Sequence, residues 1–508
     1  MQPIDWLYRG ARHRPDAIAV ETDDARLTFA TLVGEVEAFA AALQRLDPTP
    51  HHRVGICAYN TREHLVAVLA TFAAGKVWVP LNPRNGHAEL DAMIAATRPG
   101  VLVADERCVG RFSPTTVPFV YAHLESGRQP RDSVAGLVAR HRSERPEPVE
   151  RKADDAQIVK FSGGTTGWPK GVVQPVRCIN AQAKGILTAF DLRDDDAFLV
   201  AAPLTHGTSC FVLPVLAAGG RLVLIEQFDA ERVLDAFAAR GITATYLPPT
   251  AFYSLLAAHG LAERAYPRLR HLVYSAAPMP PARIAEIRRA FGSVLETAYG
   301  QVEAPQIVTA MRAHEFGDER NWTSVGRPAG VVQVAVLAEN GVAVPPGEAG
   351  EVAVQGDLVM TGYLDRPDLT AETIVNGWLR TGDLGVLDER GYLHLRGRTR
   401  DVINSGGFKI HPEAVEAALA QHPAVAECCV YGVGDPRWGE AVHAAVQLRT
   451  GTAASEEELI AFVKGTLDSV KAPKRVHLVP TLPRNANGKV SRREVRLMLF
   501  GRHGVEVA

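Results

Sequence analysis

The sequence predicts an α/β protein, with a large N-terminal domain of α/β sheets, a small β subdomain after it, and a small α+β C-terminal domain. Three observations carry this. Up to about residue 330, short β-branched runs alternate with Ala-rich stretches of helical period, and such alternation builds parallel sheets. From about Val331 the texture changes to short strands and turns, VVQVAVLAENG, GEVAVQG and WLRTGDLGVLDERGYLHLRGR, as antiparallel pairing requires. Past Arg400 a last unit reads helix, strand, strand, helix and a tail.

The elements follow in order. Residues 31–44 (TLVGEVEAFAAALQ) and 63–74 (EHLVAVLATFAA) place apolar side chains at helical spacing. Between and after them, 52–58 (HRVGICA) and 76–81 (KVWVPL) read as buried strands. The charged run 141–155 (HRSERPEPVERKADD) reads as an exposed connection rather than a domain break. Strands are then expected at 157–161, 198–203, 221–225, 243–247 and 271–275, the later ones separated by helix-length segments. In the last unit the expected order is helix 412–420, strand 427–432, strand 441–448 and helix 456–467.

Composition narrows the function classes. The chain has 55 Lys and Arg against 57 Asp and Glu, a net charge of −2, which argues against a partner that is nucleic acid or an anionic membrane. Apolar stretches such as 66–81 are broken by Gly75, Lys76 and Pro80 and fall short of the ~20 apolar residues needed to span a bilayer. Six cysteines in 508 residues are too sparse for a disulfide framework and form no CxxC pair, so structural zinc is not expected. The first twenty residues lack the basic-then-apolar pattern of a secretory signal. A cytoplasmic protein, monomeric or homodimeric, is expected.

The most informative string is 161–171, FSGGTTGWPKG. Glycines and hydroxyl residues follow an apparent strand directly, and a lysine closes the run. Such a loop brings backbone N–H groups and Thr hydroxyls against phosphate oxygens. It is not a Walker A loop, because Lys170 lies between Pro169 and Gly171 and no Ser or Thr follows it.

With this loop and the motifs downstream of it, the chain resembles the adenylate-forming superfamily of acyl-CoA synthetases, carrier-protein adenylation domains and beetle luciferases. The family's Ser-Gly-Thr-Thr-Gly-x-Pro-Lys-Gly falls on 163–171, with Gly163 in place of serine. In the family's order there follow 203–207 (PLTHG), 275–278 (SAAP), 299–303 (YGQVE), 378–383 (WLRTGD), 397–413 (GRTRDVINSGGFKIHPE) and 482–492 (LPRNANGKVSR). The resemblance covers nearly the whole chain. It implies a large domain at 1–397, a hinge at 398–400 and a mobile cap at 401–508.

It also implies roles. Thr165, Thr166, Gly167 and Lys170 would cradle phosphates, Ser275, Ala276, Ala277 and Pro278 would border the adenine, and Tyr299 and Gly300 would complete the nucleotide site. Asp383 would accept the two ribose hydroxyls, a charge-assisted contact. Arg398 would pair with ribose or phosphate through its planar fork. Glu303 would offer Mg²⁺ a hard oxygen. Lys489 would bridge the carboxylate and the α-phosphate during adenylation. Arg400 stands at the hinge position, where the pivot and a plain solvated residue are equally good readings. Ser405, Gly406, Gly407 and Phe408 would line a thiol tunnel.

The acid pocket is expected to involve His206, Cys210, Tyr246, Tyr253, Tyr274 and Ser275. His206 is either its gate or a hydrogen-bonded core histidine. Ser275 and Ala298 stand where relatives often carry Gly, so a narrowed pocket for an aromatic or short acid is expected. Two hydroxyls are missing, at Gly163 and at Val302, which replaces a Thr that contacts the α-phosphate. The implied reaction uses ATP and Mg²⁺ to make an acyl-adenylate, with CoA as the thiol acceptor. A carrier-protein thiol, a non-thiol nucleophile such as an amine, and a nucleotide-binding module without turnover are the alternatives.

Overall fold

The structure, a computed structural model, describes residues 1–113, 117–122, 131–162, 170–484 and 489–501. Two large sheets and a smaller one form the N-terminal part. A seven-stranded sheet carries Arg53–Cys57, Val77–Pro80, Val101–Ala104 and Ala156–Ser162 in parallel, and Lys170–Pro175 returns antiparallel to Ala156–Ser162. In a nine-stranded sheet Ile18–Glu21, Arg221–Leu224, Ala197–Val200, Ala244–Leu247, His271–Tyr274 and Leu295–Tyr299 are neighbours in that order, all parallel. Antiparallel strands cap both of its edges.

Helices pack between the two sheets. Phe29–Leu46, Arg62–Ala73, Val176–Phe190 and Ser209–Ala218 meet in one apolar core that takes residues from both sheets. A second core lies on the far face of the nine-stranded sheet and includes Tyr274, Phe316 and Tyr392. The expected meander is present: Gln333–Leu337, Ala349–Gln355, Trp378–Leu387 and Leu393–Arg398 pair antiparallel throughout.

The C-terminal unit has its own core of Ile403, Val415, Leu419, Val430, Val442, Leu459 and Val476 with others. Its long hairpin Val425–Asp435 and Gly439–Leu448 is flanked by Pro412–Leu419 and Glu456–Thr466 as expected. Two features departed from the sequence reading. The tail contains a strand, Arg475–Leu478, parallel to Gly439–Leu448, and a helix, Arg492–Phe500, capped by the Ser491 hydroxyl. The strand is four residues long and half polar, so no period marks it. The run 141–155 is largely exposed, but Arg151 is buried and its Nη1 donates to the Gly75 carbonyl at 2.8 Å, tying the connection to the sheet. Arg492 joins the cap together: it donates to the Val430 carbonyl and to the carboxylates of Asp401, Glu413 and Glu416.

Lys76 sets a standard for how a buried cation is held in this fold. Its Nζ donates to the Asp47 carbonyl at 2.6 Å, the Asp47 carboxylate at 3.0 Å and the Thr49 carbonyl at 3.1 Å. Burial pushes the Asp47 carboxyl up, but the Lys76 ammonium and the Thr49 N–H outweigh it and leave it below its ordinary value. Lys76→Met removes that carboxylate's ammonium partner, leaving it the Thr49 N–H and His52, and should cost up to about 3–5 kcal/mol in urea unfolding. Because the folded carboxyl titrates below the unfolded one, the pair stabilises above about pH 4 and less as pH falls. The gap between wild type and Lys76→Met should therefore shrink on acidification.

Candidate active site

A carboxylate stands at the junction of the sheets. Asp383, 6% exposed, lies where Trp378–Leu387 passes the end of Leu295–Tyr299. Its Oδ2 accepts from the Tyr299 hydroxyl at 2.6 Å and the Gln301 amide at 2.6 Å, and its Oδ1 accepts from Arg398 Nε at 3.0 Å. Gln301 also donates to the Thr381 carbonyl. Burial and the adjacent carboxylate push the Tyr299 phenol well up, so it stays a donor.

Around this carboxylate the cations gather. Lys489 reaches in from the C-terminal unit and sits within electrostatic range of Arg398, Asp383 and His206. Burial and the Arg398 charge lower its pKa to about 8 against the opposing pull of Asp383. Arg400 remains exposed, and its charge is felt by Arg398, Asp383 and Glu303. Lys170 opens its strand half-buried, with Nζ 5.8 Å from the Tyr363 ring centre. The Tyr363 hydroxyl donates to Glu303 Oε1 at 2.9 Å, so Lys170 and Glu303 share one aromatic support.

Beside the carboxylate, the strand His271–Tyr274 ends and the chain turns through Ser275–Pro278. Ala276 takes φ 79°, a left-handed conformation that costs a non-glycine residue about 1–2 kcal/mol. Ser275 is buried, while Ala276 and Pro278 present an open shelf.

On the other side lies the turn of His206. Asn60 pins it: its Nδ2 donates to the Ala202 carbonyl and its Oδ1 accepts from Leu204 N. His206 Nδ1 is 2.8 Å from the Thr205 hydroxyl. Burial, then the charges of Lys160, Lys489 and Arg84, push its pKa down to about 3, so the ring is neutral. Gly207 is required here, because a Cβ on it would lie 2.5 Å from the Tyr246 hydroxyl. That hydroxyl faces the side chains of Ser275 and Gln306, and Cys210 is near it.

The structure therefore brings together Lys489, Arg398, Asp383, Tyr299, Gly300, Glu303, Lys170 and, towards the acid side, His206, Cys210, Tyr246 and Ser275. It does not bring Tyr253 and Tyr274 to them. Tyr246 pairs in register with Val273 and shares its face, so the period of two sends Tyr274 to the opposite one. There Tyr274 packs near Phe316 with ring centres 6.3 Å apart, and Tyr253 packs against that same core beneath Arg283. Ser405, Gly406, Gly407 and Phe408 form a hairpin tip beside Trp438, with Gly406 N donating to the Trp438 carbonyl. Phe408 is exposed there, and the neighbouring Lys409 pairs with Glu339. Gly163, Thr165, Thr166 and Gly167 lie outside the described residues.

Sequence reasoning missed Tyr363, Gln301, Gln306 and Lys160. Gln306 is buried at φ 69° with its Nε2 unpartnered among the described residues. No sequence period marks it. Lys160 had a signal, a lone cation in an otherwise buried strand. Val302 packs its side chain against the main core while its carbonyl accepts from Gln174 at 2.7 Å.

This geometry sets the buried Asp383 carboxylate among cations at the end of the parallel strands, with Lys489 brought in from the C-terminal unit. The AMP-binding enzyme family matches residues 7–364 and the AMP-binding enzyme C-terminal domain matches 414–489. The chain belongs to that family, the adenylate-forming superfamily of acid-activating ligases. It is 35% identical to a feruloyl-CoA synthase of Amycolatopsis sp, covering 97% of this chain and 98% of that one. It is 34% identical to a medium/long-chain-fatty-acid–CoA ligase of Mycobacterium tuberculosis, covering 93% and 86%. Among solved structures it is similar to the amide bond synthetase McbA of Marinactinospora thermotolerans, with TM-score 0.89 and 30% identity over 98% of this chain and all of that one. Among the described residues no helix is long and apolar enough to cross a membrane.

Since kcat/KM reports the free enzyme, its value for adenylation should fall as pH rises through about 8, where Lys489 loses its proton. Lys489→Arg, which keeps its charge, should abolish that alkaline limb. A limb unchanged by the substitution would assign the titration elsewhere.

Proposed function

We propose that this chain activates a carboxylic acid with ATP and then passes the acyl group to CoA. In the first step the acid's carboxylate oxygen attacks the α-phosphorus, pyrophosphate leaves, and an acyl-adenylate forms. In the second, the thiolate attacks the acyl carbon and AMP leaves. The observation that carries this is the position of Lys489: a lysine from the C-terminal unit lies beside Arg398 and Asp383 and within range of His206. A cation there sits between nucleotide and acid, where it would orient two anions and stabilise charge developing at phosphorus.

Asp383 would hold the ribose hydroxyls, with the Tyr299 and Gln301 donors fixing its orientation. Lys170 would take a terminal phosphate. Mg²⁺ fits Glu303: one oxygen is engaged by Tyr363, and the other has no partner among the described residues. A single carboxylate suffices for an ion that takes its remaining ligands from phosphates and water, and its role would be to neutralise phosphate charge.

The proposed large domain is 1–397, with the pivot at 398–400 and the cap at 401–508. The cap's separate core supports its movement as a rigid body. Rotation would withdraw Lys489 and bring the Ser405–Phe408 hairpin to the adenylate. Gly406 and Gly407 adopt φ of 58° and 83°, and their bare backbone suits the close approach of a pantetheine arm. Relatives named for feruloyl and fatty acids support a CoA acceptor. The narrowed Tyr246–Ser275 wall favours an aromatic or short acid over a long chain. The six cysteines are free thiols, which fits a reducing, cytoplasmic setting. A second reading, transfer to an amine, is favoured by the full-length likeness to an amide bond synthetase.

ATP–pyrophosphate exchange over a panel of acids tests the first step, and offering CoA, a carrier protein or an amine to the preformed adenylate decides the second. Lys489→Ala should slow adenylate formation by about 10²–10³ while sparing thioester formation from synthetic acyl-adenylate. Equal losses in both half-reactions would refute the alternation.

A further inference from the structure

The nucleotide site does not account for a void under the His206 turn. It measures about 30 Å³, room for about two waters or one small polar group. Phe72, Trp78 and Leu213 give it apolar walls, and Lys160, Gln182 and Ser209 bring polar atoms.

Lys160 is out of place by the logic of its strand. Along Ala156–Ser162, Val159 packs into one core and Ile158 into the main one, so the period of two aims Lys160 at the main core. Its Nζ lies 3.3 Å from the His206 carbonyl, 3.3 Å from the Ser209 hydroxyl and 5.7 Å from the centre of the Trp78 ring. Among the described residues no carboxylate pairs with it. Lys76, by contrast, has three oxygens at 2.6–3.1 Å, one of them a carboxylate. Lys160 is half-buried; a cation drawn partly out of water is costly unless it is paired, and the space for a partner is the void itself.

The void borders the turn that carries His206, whose carbonyl accepts from Lys160. The charges of both Lys160 and Lys489 reach the His206 ring. Cys210 lines the void and also neighbours Tyr246. An acid with its reacting carboxylate at Lys489 would run past His206 and Tyr246 and end at Lys160.

We propose that Lys160, with Ser209, selects acids that carry an oxygen acceptor, a carboxylate above all, at the end remote from the carboxyl group that is activated. This rests on the ligase reading above. The void admits a carboxylate and excludes a ring, so the body of the acid stays between His206 and Tyr246. The expected substrates are rigid or short diacids, or keto and nitro acids of the same outline.

The test compares kcat/KM in ATP–pyrophosphate exchange for matched pairs: 4-carboxycinnamate against 4-methylcinnamate, and adipate against hexanoate. Wild type should favour the acceptor-bearing member of at least one pair by about 10–100-fold, the scale of a charge-assisted hydrogen bond in a closed site. Lys160→Met should collapse that ratio towards one, and Lys160→Arg should restore part of it. If Lys160→Met does not fold, Ser209→Ala should lower the same ratio several-fold. A ratio untouched by these substitutions, with both members slowed alike, would show that Lys160 serves solely to pin the His206 turn and would overturn the proposal. So would a wild type with no preference in either pair. Exchange with no acid at all would overturn the ligase reading and this inference with it, whereas brisk exchange on the methyl and hexanoate members alone would overturn only this one.

Discussion

The burial of the Asp383 carboxylate constrains everything around it. A buried carboxylate is tolerated when donors satisfy it, and this one draws its donors from separate places. Tyr299 comes from the end of a parallel strand, Gln301 from the turn after it, and Arg398 from the last residue of the small antiparallel sheet. Satisfying Asp383 therefore fixes the large sheet, the turn after its last parallel strand and the end of the meander at Arg398 relative to one another. The proposed nucleotide site would lie at the end of the parallel strands, where these elements meet and where ligands bind in open α/β sheets.

Charge balance then governs the cap. Lys489, Arg398 and Arg400 come close to one another around Asp383 and Glu303, and the lowered pKa of Lys489 records the crowding as well as its burial. Asp383 already pairs with Arg398, and a triphosphate would add further negative charge to set against Lys489. Nucleotide binding would thus favour the arrangement with Lys489 inside, and loss of pyrophosphate would weaken it. The C-terminal unit would respond as one piece, since its own core and the Arg492 cluster hold it together.

The sequence showed the fold well where hydrophobic period and length agree, as in Phe29–Leu46, Arg53–Cys57, Ala197–Val200 and Ala244–Leu247, whereas Ile18–Glu21, Val101–Ala104 and Leu295–Tyr299 were not anticipated. It showed less where a strand is short and polar, as in Arg475–Leu478, whose place is set by pairing with a neighbour rather than by its own pattern. The family was legible because its motifs have fixed order and spacing. The acid pocket was not. Which face of a strand a Tyr takes depends on register, and Tyr246 and Tyr274 took opposite faces one residue out of step. Gln306 and Tyr363 act through long-range contacts for which no local signal exists.

The two missing hydroxyls make sense in this setting. Val302 is not a bare loss at the nucleotide, since its side chain is absorbed into the core and its carbonyl is held by Gln174. Restoring a hydroxyl there would place a polar group against that core, and Val and Thr are not interchangeable in such a position. A site short of hydroxyl donors leans more heavily on its cations, and contacts from a lysine or arginine to phosphate are about twice as strong as neutral ones. The α-phosphate would then depend chiefly on Lys489, a residue delivered by the cap. Under the proposed function, nucleotide chemistry in this chain would be tied more closely to the position of the C-terminal unit than it would be with a threonine at residue 302.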